Sequence, residues 1–106
     1  MEFNKLVKRA KEIKKSYAHL NENQGKKAWG VTEYTQGLVG DVGDLMKLVM
    51  AKNGFRSCND VDDKLSHELT DCLWPIIVIA EELGIDLESE FLYTMRELEE
   101  RISLEK

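Results

Sequence analysis

The sequence predicts an all-α protein of four helices, and three observations carry that prediction. Apolar residues recur at intervals of three and four along most of the chain, as one face of a helix requires. No stretch alternates apolar and polar residues as a half-buried strand would. Breaks at Asn21-Glu22-Asn23-Gln24-Gly25, Asn53-Gly54 and Gly84 divide the periodic part into four segments. With 106 residues and no linker or internal repeat, residues 1–106 are expected to form one compact domain around one core.

The first helix is expected over about Phe3 to Leu20. Phe3, Leu6, Val7, Ala10, Ile13, Tyr17 and Leu20 make its apolar row, and lysines fill the other face. Trp29 falls in the connection that follows, and Thr32 is a suitable N-cap for the next helix. That helix runs from about Glu33 to Lys52 on Leu38, Leu45, Leu48 and Val49. Asn53-Gly54 gives it a C-terminal stop. Its glycines, Gly37, Gly40 and Gly43, each weaken a helix interior by roughly 1 kcal/mol relative to alanine. Their spacing leaves a smooth strip where a ligand or another helix can approach. Asn59 or Asp60 can cap a third helix, Val61 to about Leu83, on the row Leu65, Leu69, Cys72, Ile76, Ile79 and Leu83. Pro75 lies deep inside it, removes one backbone donor and is expected to kink the helix near Asp71. Asp86 can cap the fourth helix, which runs to about Ser103 on Leu87, Phe91, Met95, Leu98 and Ile102.

The formal net charge is -5, an acidic balance that argues against sequence-independent nucleic-acid binding. The longest apolar run, Leu73 to Ala80, is far too short to span a bilayer, so no membrane partner is expected. Cys58 and Cys72 follow no metal-ligand spacing, and the first residues lack the apolar core of a secretory signal. Reduced thiols and a cytoplasmic location are expected.

Two short acidic patterns stand out. Asp41 and Asp44 are three apart on the second helix, and Glu68 and Asp71 are three apart on the third. Residues i and i+3 lie about 60° apart, nearly on one face. Both pairs border apolar rows, so packing the two helices together gathers four carboxylates in one small volume. An uncompensated group of that kind is costly, and a cation relieves it. Oxygen ligands without His or Cys point to a hard ion, Mg²⁺ with Mn²⁺ as the alternative. Such an ion suits hydrolysis of a phosphoanhydride, because it neutralises phosphate charge and can activate water. Taken singly, each acid reads first as an ordinary solvated helix residue, and only the two pairs together point to a site.

The two motifs in order also resemble the all-α nucleoside triphosphate pyrophosphohydrolases of the MazG type. That family's pattern is Glu-x-x-Glu on one helix and Glu-x-x-Asp on the next. The string Leu38-Val39-Gly40-Asp41-Val42-Gly43-Asp44-Leu45 is similar to the dCTP pyrophosphatase branch, with Asp twice in place of Glu. Glu68-Leu69-Thr70-Asp71-Cys72-Leu73-Trp74 and the turn Leu83-Gly84-Ile85-Asp86 resemble the family's third helix and its exit. The resemblance covers about Trp29 to Arg101. It implies a four-helix bundle completed by dimerisation, as a homodimer or a dimer of dimers. It implies Mg²⁺ held by Asp41, Asp44, Glu68 and Asp71, which also serve catalysis. The substrate it implies is an NTP or dNTP, cut to the monophosphate and pyrophosphate in house-cleaning of nucleotide pools. Trp29, Lys52 and Arg101 become candidate substrate contacts.

Several positions depart from that pattern. Thr94 and Leu98 stand where the family usually has a Lys and an Asn facing the phosphates. Ala51 replaces a base-stacking tryptophan, and Pro75 falls where an aromatic is common. Two other readings therefore stay open: a helical dimer that binds metal or nucleotide without cleaving it, and a phosphoribosyl-ATP pyrophosphohydrolase. Trp29 can stack on a base or simply cap the core.

Overall fold

The computed structural model describes residues 2–105 and contains four helices: α1 (Glu2–Asn23), α2 (Val31–Lys52), α3 (Val61–Glu82) and α4 (Leu87–Leu104). Among the described residues there is no strand, and no helix is long and apolar enough to cross a membrane. The helix ends follow the turn chemistry. Gly25, Gly54 and Gly84 have φ of 69°, 85° and 69°, left-handed values that suit glycine at a helix exit. At each exit a backbone N–H reaches back to a carbonyl of the last turn: Lys26 to Asn21, Phe55 to Met50 and Ile85 to Ala80.

The starts differ in detail from expectation. The N-cap of α2 is Gly30 rather than Thr32, and its amide donates to Glu33 Oε1 at 2.7 Å. Asp60 caps α3 with a positive φ of 55° and no side-chain bond to the helix. Asp86 caps α4 as expected, its carboxylate accepting from the Ser89 amide at 3.2 Å and the Ser89 hydroxyl at 3.0 Å. Pro75 sits buried inside α3, which remains helical on both sides of it.

α2 and α3 form an antiparallel hairpin. Lys52, at the end of α2, pairs with Asp62 at the start of α3, while the Tyr34 and Trp74 rings meet at the other end, 5.6 Å apart. α1 lies across the C-terminal half of α3. The Trp74 indole donates to the Ala10 carbonyl at 3.1 Å, and Lys11–Glu81 and Lys14–Glu82 ion pairs lie alongside. The buried core is small: Ala10, Tyr34, Cys72, Ile77, Val78 and Ala80.

The single chain is more extended than a folded chain of its length. The radius of gyration is 17.1 Å, whereas a folded chain of this length gives about 13 Å. The cause is α4, which runs away from the other helices with every described residue from Ser89 onward exposed, including Phe91, Met95, Leu98 and Ile102 of its apolar row.

The glycine strip of α2 is also only partly used. Gly37 meets the Trp29 ring 3.5 Å from where a Cβ would stand, but a Cβ at Gly40 or Gly43 would meet nothing within 4 Å. Gly40→Ala and Gly43→Ala are therefore expected to stabilise the protein by about 1 kcal/mol each, through helix propensity alone. Thermal unfolding checks this. A lower melting temperature would mean that something outside this chain occupies the strip.

Candidate metal centre

Asp41 lies on the inward row of α2 with Leu38, Leu45 and Leu48, and Glu68 lies on the matching row of α3 with Leu65 and Cys72. The hairpin therefore brings them face to face, and Asp44 follows less than one turn after Asp41. One carboxylate oxygen from each of Asp41, Asp44 and Glu68 lies within 4.8 Å of the other two. Asp41 and Glu68 are half-buried, and Asp44 is exposed, so the group is closed at its floor and open at one side.

Asp71, the fourth residue of the sequence motif, is not brought into this trio. Its Oδ2 is 3.4 Å from Nε2 of His67, one turn earlier on the same helix. It remains near enough to act on the cluster electrostatically. Burial pushes the Glu68 carboxyl above its usual range, and the charges of Asp41, Asp71 and Asp44 push it further. The buried Cys72 thiol is raised first by burial and then by the same acids. Glu68 Oε1 is enclosed and has no hydrogen-bond partner. As a carboxylate, Glu68 can only accept, and no donor faces its enclosed oxygen.

An enclosed oxygen with no donor, beside two further carboxylates, fits a small hard cation. The set is all oxygen and carries enough charge for Mg²⁺, and its open side leaves room for waters or phosphate oxygens. Neither cysteine belongs to it, and His67 faces Asp71 instead.

Beside the cluster is a cavity of about 550 Å³ whose lining includes Tyr17, Gln24, Trp29, Tyr34, Asp41 and Trp74. Its aromatic rings meet in sequence. Trp29 and Tyr34 are edge-to-face at 5.5 Å, Tyr34 and Trp74 at 5.6 Å, and Trp74 and Tyr17 are tilted at 5.8 Å. Trp29 is half-exposed at the mouth, and Asp41 joins the cavity to the acidic trio. Sequence reasoning found Trp29 but not Tyr34, Tyr17 or Gln24. Tyr34 carried a signal, since it sits two turns before Asp41 on the same row of α2.

The other expected substrate contacts stand apart. Lys52 is tied to Asp62 at 2.6 Å near the far end of the hairpin. Arg101 is exposed on α4, which is not packed along the hairpin. The fold and the acids together define an all-α domain with a carboxylate cluster built across a helical hairpin. Compared with known protein families, with curated proteins and with solved structures, the chain gives no match in any of the three.

Proposed function

We propose that the protein is a Mg²⁺-dependent nucleoside triphosphate pyrophosphohydrolase that converts an NTP or dNTP to the monophosphate and pyrophosphate. The observation that carries this reading is the convergence of Asp41, Asp44 and Glu68, with one oxygen enclosed and unpartnered, at the edge of an aromatic-walled cavity. The carboxylates would hold the ion, and Mg²⁺ bound there supplies charge neutralisation for phosphate oxygens and acidifies a bound water. Asp44, on the open side, is placed to hydrogen-bond an incoming water and orient it. Trp29 and Tyr34 supply flat apolar walls of the kind on which a nucleobase stacks. Asp71 is placed to join through a water, with His67 fixing its orientation.

The working unit in this reading is a homodimer or a dimer of dimers. The second reading, a nucleotide- or metal-binding protein without turnover, is favoured by one observation: Lys52 is engaged with Asp62, and no lysine or arginine is ion-paired to the acidic trio among the described residues. Incubation with a panel of NTPs and dNTPs in Mg²⁺ or Mn²⁺ tests the first reading. Pyrophosphate and monophosphate in equal amounts are expected. Orthophosphate alone, or no release from any nucleotide, overturns it. Tight binding of a nonhydrolysable dNTP without turnover of its natural counterpart would leave the second.

A further inference from the structure

The proposed substrate brings more negative charge than the acidic cluster and its ion can balance. The three carboxylates outnumber the charge of one Mg²⁺, and a triphosphate adds several negative charges more, so a further cation is needed close by. Several basic side chains are committed or remote. Lys11 and Lys14 pair with Glu81 and Glu82, and Lys52 pairs with Asp62 near the far end of the hairpin. Lys64 shares a shallow hollow with Glu68, but its Nζ lies 3.8 Å from Cys58 Sγ. Lys26 differs from all of these. Among the described residues it is the one basic residue that lines the cavity reaching Asp41, and it makes no ion pair there.

The fold carries Lys26 to the acidic side of that cavity. α1 runs antiparallel to α3: Lys11 meets Glu81, and Tyr17 meets Trp74 nearer the middle of α3. Gln24 comes two turns after Tyr17, about 10 Å further along the axis. The same step back along α3 leads from Trp74 to the turn that carries Glu68. α2 also passes Trp74, at Tyr34, and reaches Asp41 two turns later. The C-terminal end of α1 and the acids therefore lie at one level, with Tyr17, Tyr34 and Trp74 further along. The end of α1 also fixes where the Lys26 side chain begins. Gly25 takes a φ of 69°, and the Lys26 amide donates to the Asn21 carbonyl at 2.7 Å. The backbone is held by the helix, so little is lost in ordering it around a ligand. Lys27, the next residue, does not line the cavity.

We infer that Lys26 binds the triphosphate of the substrate, its ammonium neutralising phosphate oxygens that the metal does not. The inference deepens the proposed function and rests on its nucleotide and metal reading. It also gives a role to the absence of a cation paired with the acidic trio. A lysine paired to those carboxylates would compete with the metal for them, whereas one set on the cavity wall leaves both partners available. Lysine suits this task, because a compact ammonium on a flexible four-carbon stem can follow phosphate oxygens. The phosphate cation then comes from the end of α1 and not from α4, whose Arg101 is exposed.

Titration calorimetry of the full chain in MgCl₂ tests this with inorganic triphosphate and with α,β-methylene ATP and α,β-imido dUTP, which resist cleavage at the bond in question. Lys26→Gln is expected to weaken binding of the triphosphates by about 30-fold, as loss of one charge-assisted contact does. Lys26→Arg should restore most of the affinity. Lys27→Gln makes the same change of charge and should lose no more than about twofold. The rise in melting temperature on adding MgCl₂ alone should be unchanged in Lys26→Gln, because Lys26 is not a metal ligand. If Lys26→Gln weakens the nucleotide analogues but not inorganic triphosphate, the inference is overturned and Lys26 contacts the base or sugar. An equal loss in Lys27→Gln overturns it in favour of general charge. A loss in Lys64→Gln instead moves the phosphates to the hollow beside Glu68. A wild type that binds no triphosphate also overturns it. The hydrolase reading is judged separately. Lys26-dependent binding without pyrophosphate release overturns that reading alone, and release unaffected by Lys26→Gln overturns this inference alone.

Discussion

Replacing Glu68 with glutamine is expected to stabilise the metal-free protein and to remove its response to magnesium. The two effects have opposite signs and one cause. Burial and three neighbouring acids raise the Glu68 carboxyl in the folded state above its usual 4.5. The folded state therefore holds the Glu68 proton more tightly than the unfolded state does. Where one state binds more protons, lowering the pH favours that state. For this group, stability is gained as pH falls through the raised folded value and is complete below the unfolded one. Above the raised folded value the carboxylate is ionised and its repulsion is fully present. Glutamine keeps the shape without the charge, so its metal-free melting temperature should exceed that of the wild type at pH 7. The difference should shrink as the pH is lowered towards the ordinary carboxylate range.

Magnesium should reverse the ranking. A ligand that binds only the folded state at a hundred times its dissociation constant adds about 2.7 kcal/mol. In a chain of this size that raises the melting temperature by roughly 10 °C or more. The Glu68→Gln variant loses the enclosed oxygen, so its rise should be near zero, and pyrophosphate release should fall by about 100-fold or more. Melting curves at pH 5 and pH 7, with and without MgCl₂, separate the parts. If the variant melts below the wild type without metal, the electrostatic account of the cluster is wrong. If it responds to magnesium as the wild type does, the cation is held elsewhere.

Most of the fold could be read from the sequence because its signals are local. Three-and-four periodicity places α1 to α4, and Gly25, Gly54 and Gly84 end three of them, because left-handed backbone is costly for other residues. The start of α2 was misplaced by two residues, because Gly30 caps through its own amide and Glu33 rather than through a side chain. Periodicity also could not say what each apolar row packs against. The rows of α2 and α3 meet, whereas the row of α4 is exposed from Phe91 onward, and the two patterns look alike in sequence. The acidic cluster followed from spacing for Asp41, Asp44 and Glu68. Asp71 diverged because a rotation of about 60° sends it from the hairpin contact to the side where His67 waits one turn away. The aromatic cavity was hardly visible, since it joins α1 to α2 and α3 through residues more than fifty positions apart, and only Trp29 announced it.

The second large effect is expected at Trp74, which fastens α1 to the hairpin. Its indole N–H donates to the Ala10 carbonyl at 3.1 Å, and its ring lies against both Tyr34 and Tyr17. With a core as small as this one, few other groups hold α1; the Lys11 and Lys14 ion pairs are partly solvated and contribute little. Trp74→Ala is therefore expected to cost about 3 kcal/mol, a large part of the stability of a small domain. Trp74→Phe keeps most of the ring contact and loses only the hydrogen bond, a cost of about 1 kcal/mol. The loss should be uneven. Hydrogen exchange should show the amides of α1 losing protection well before those of α2 and α3. The magnesium response should persist in Trp74→Phe, because the indole N–H that is lost donates to the Ala10 carbonyl and not to a carboxylate of the cluster. Uniform loss of protection across all helices would show that α1 is held by something other than Trp74. A cost below 1 kcal/mol for alanine would show that the indole is not what fastens it.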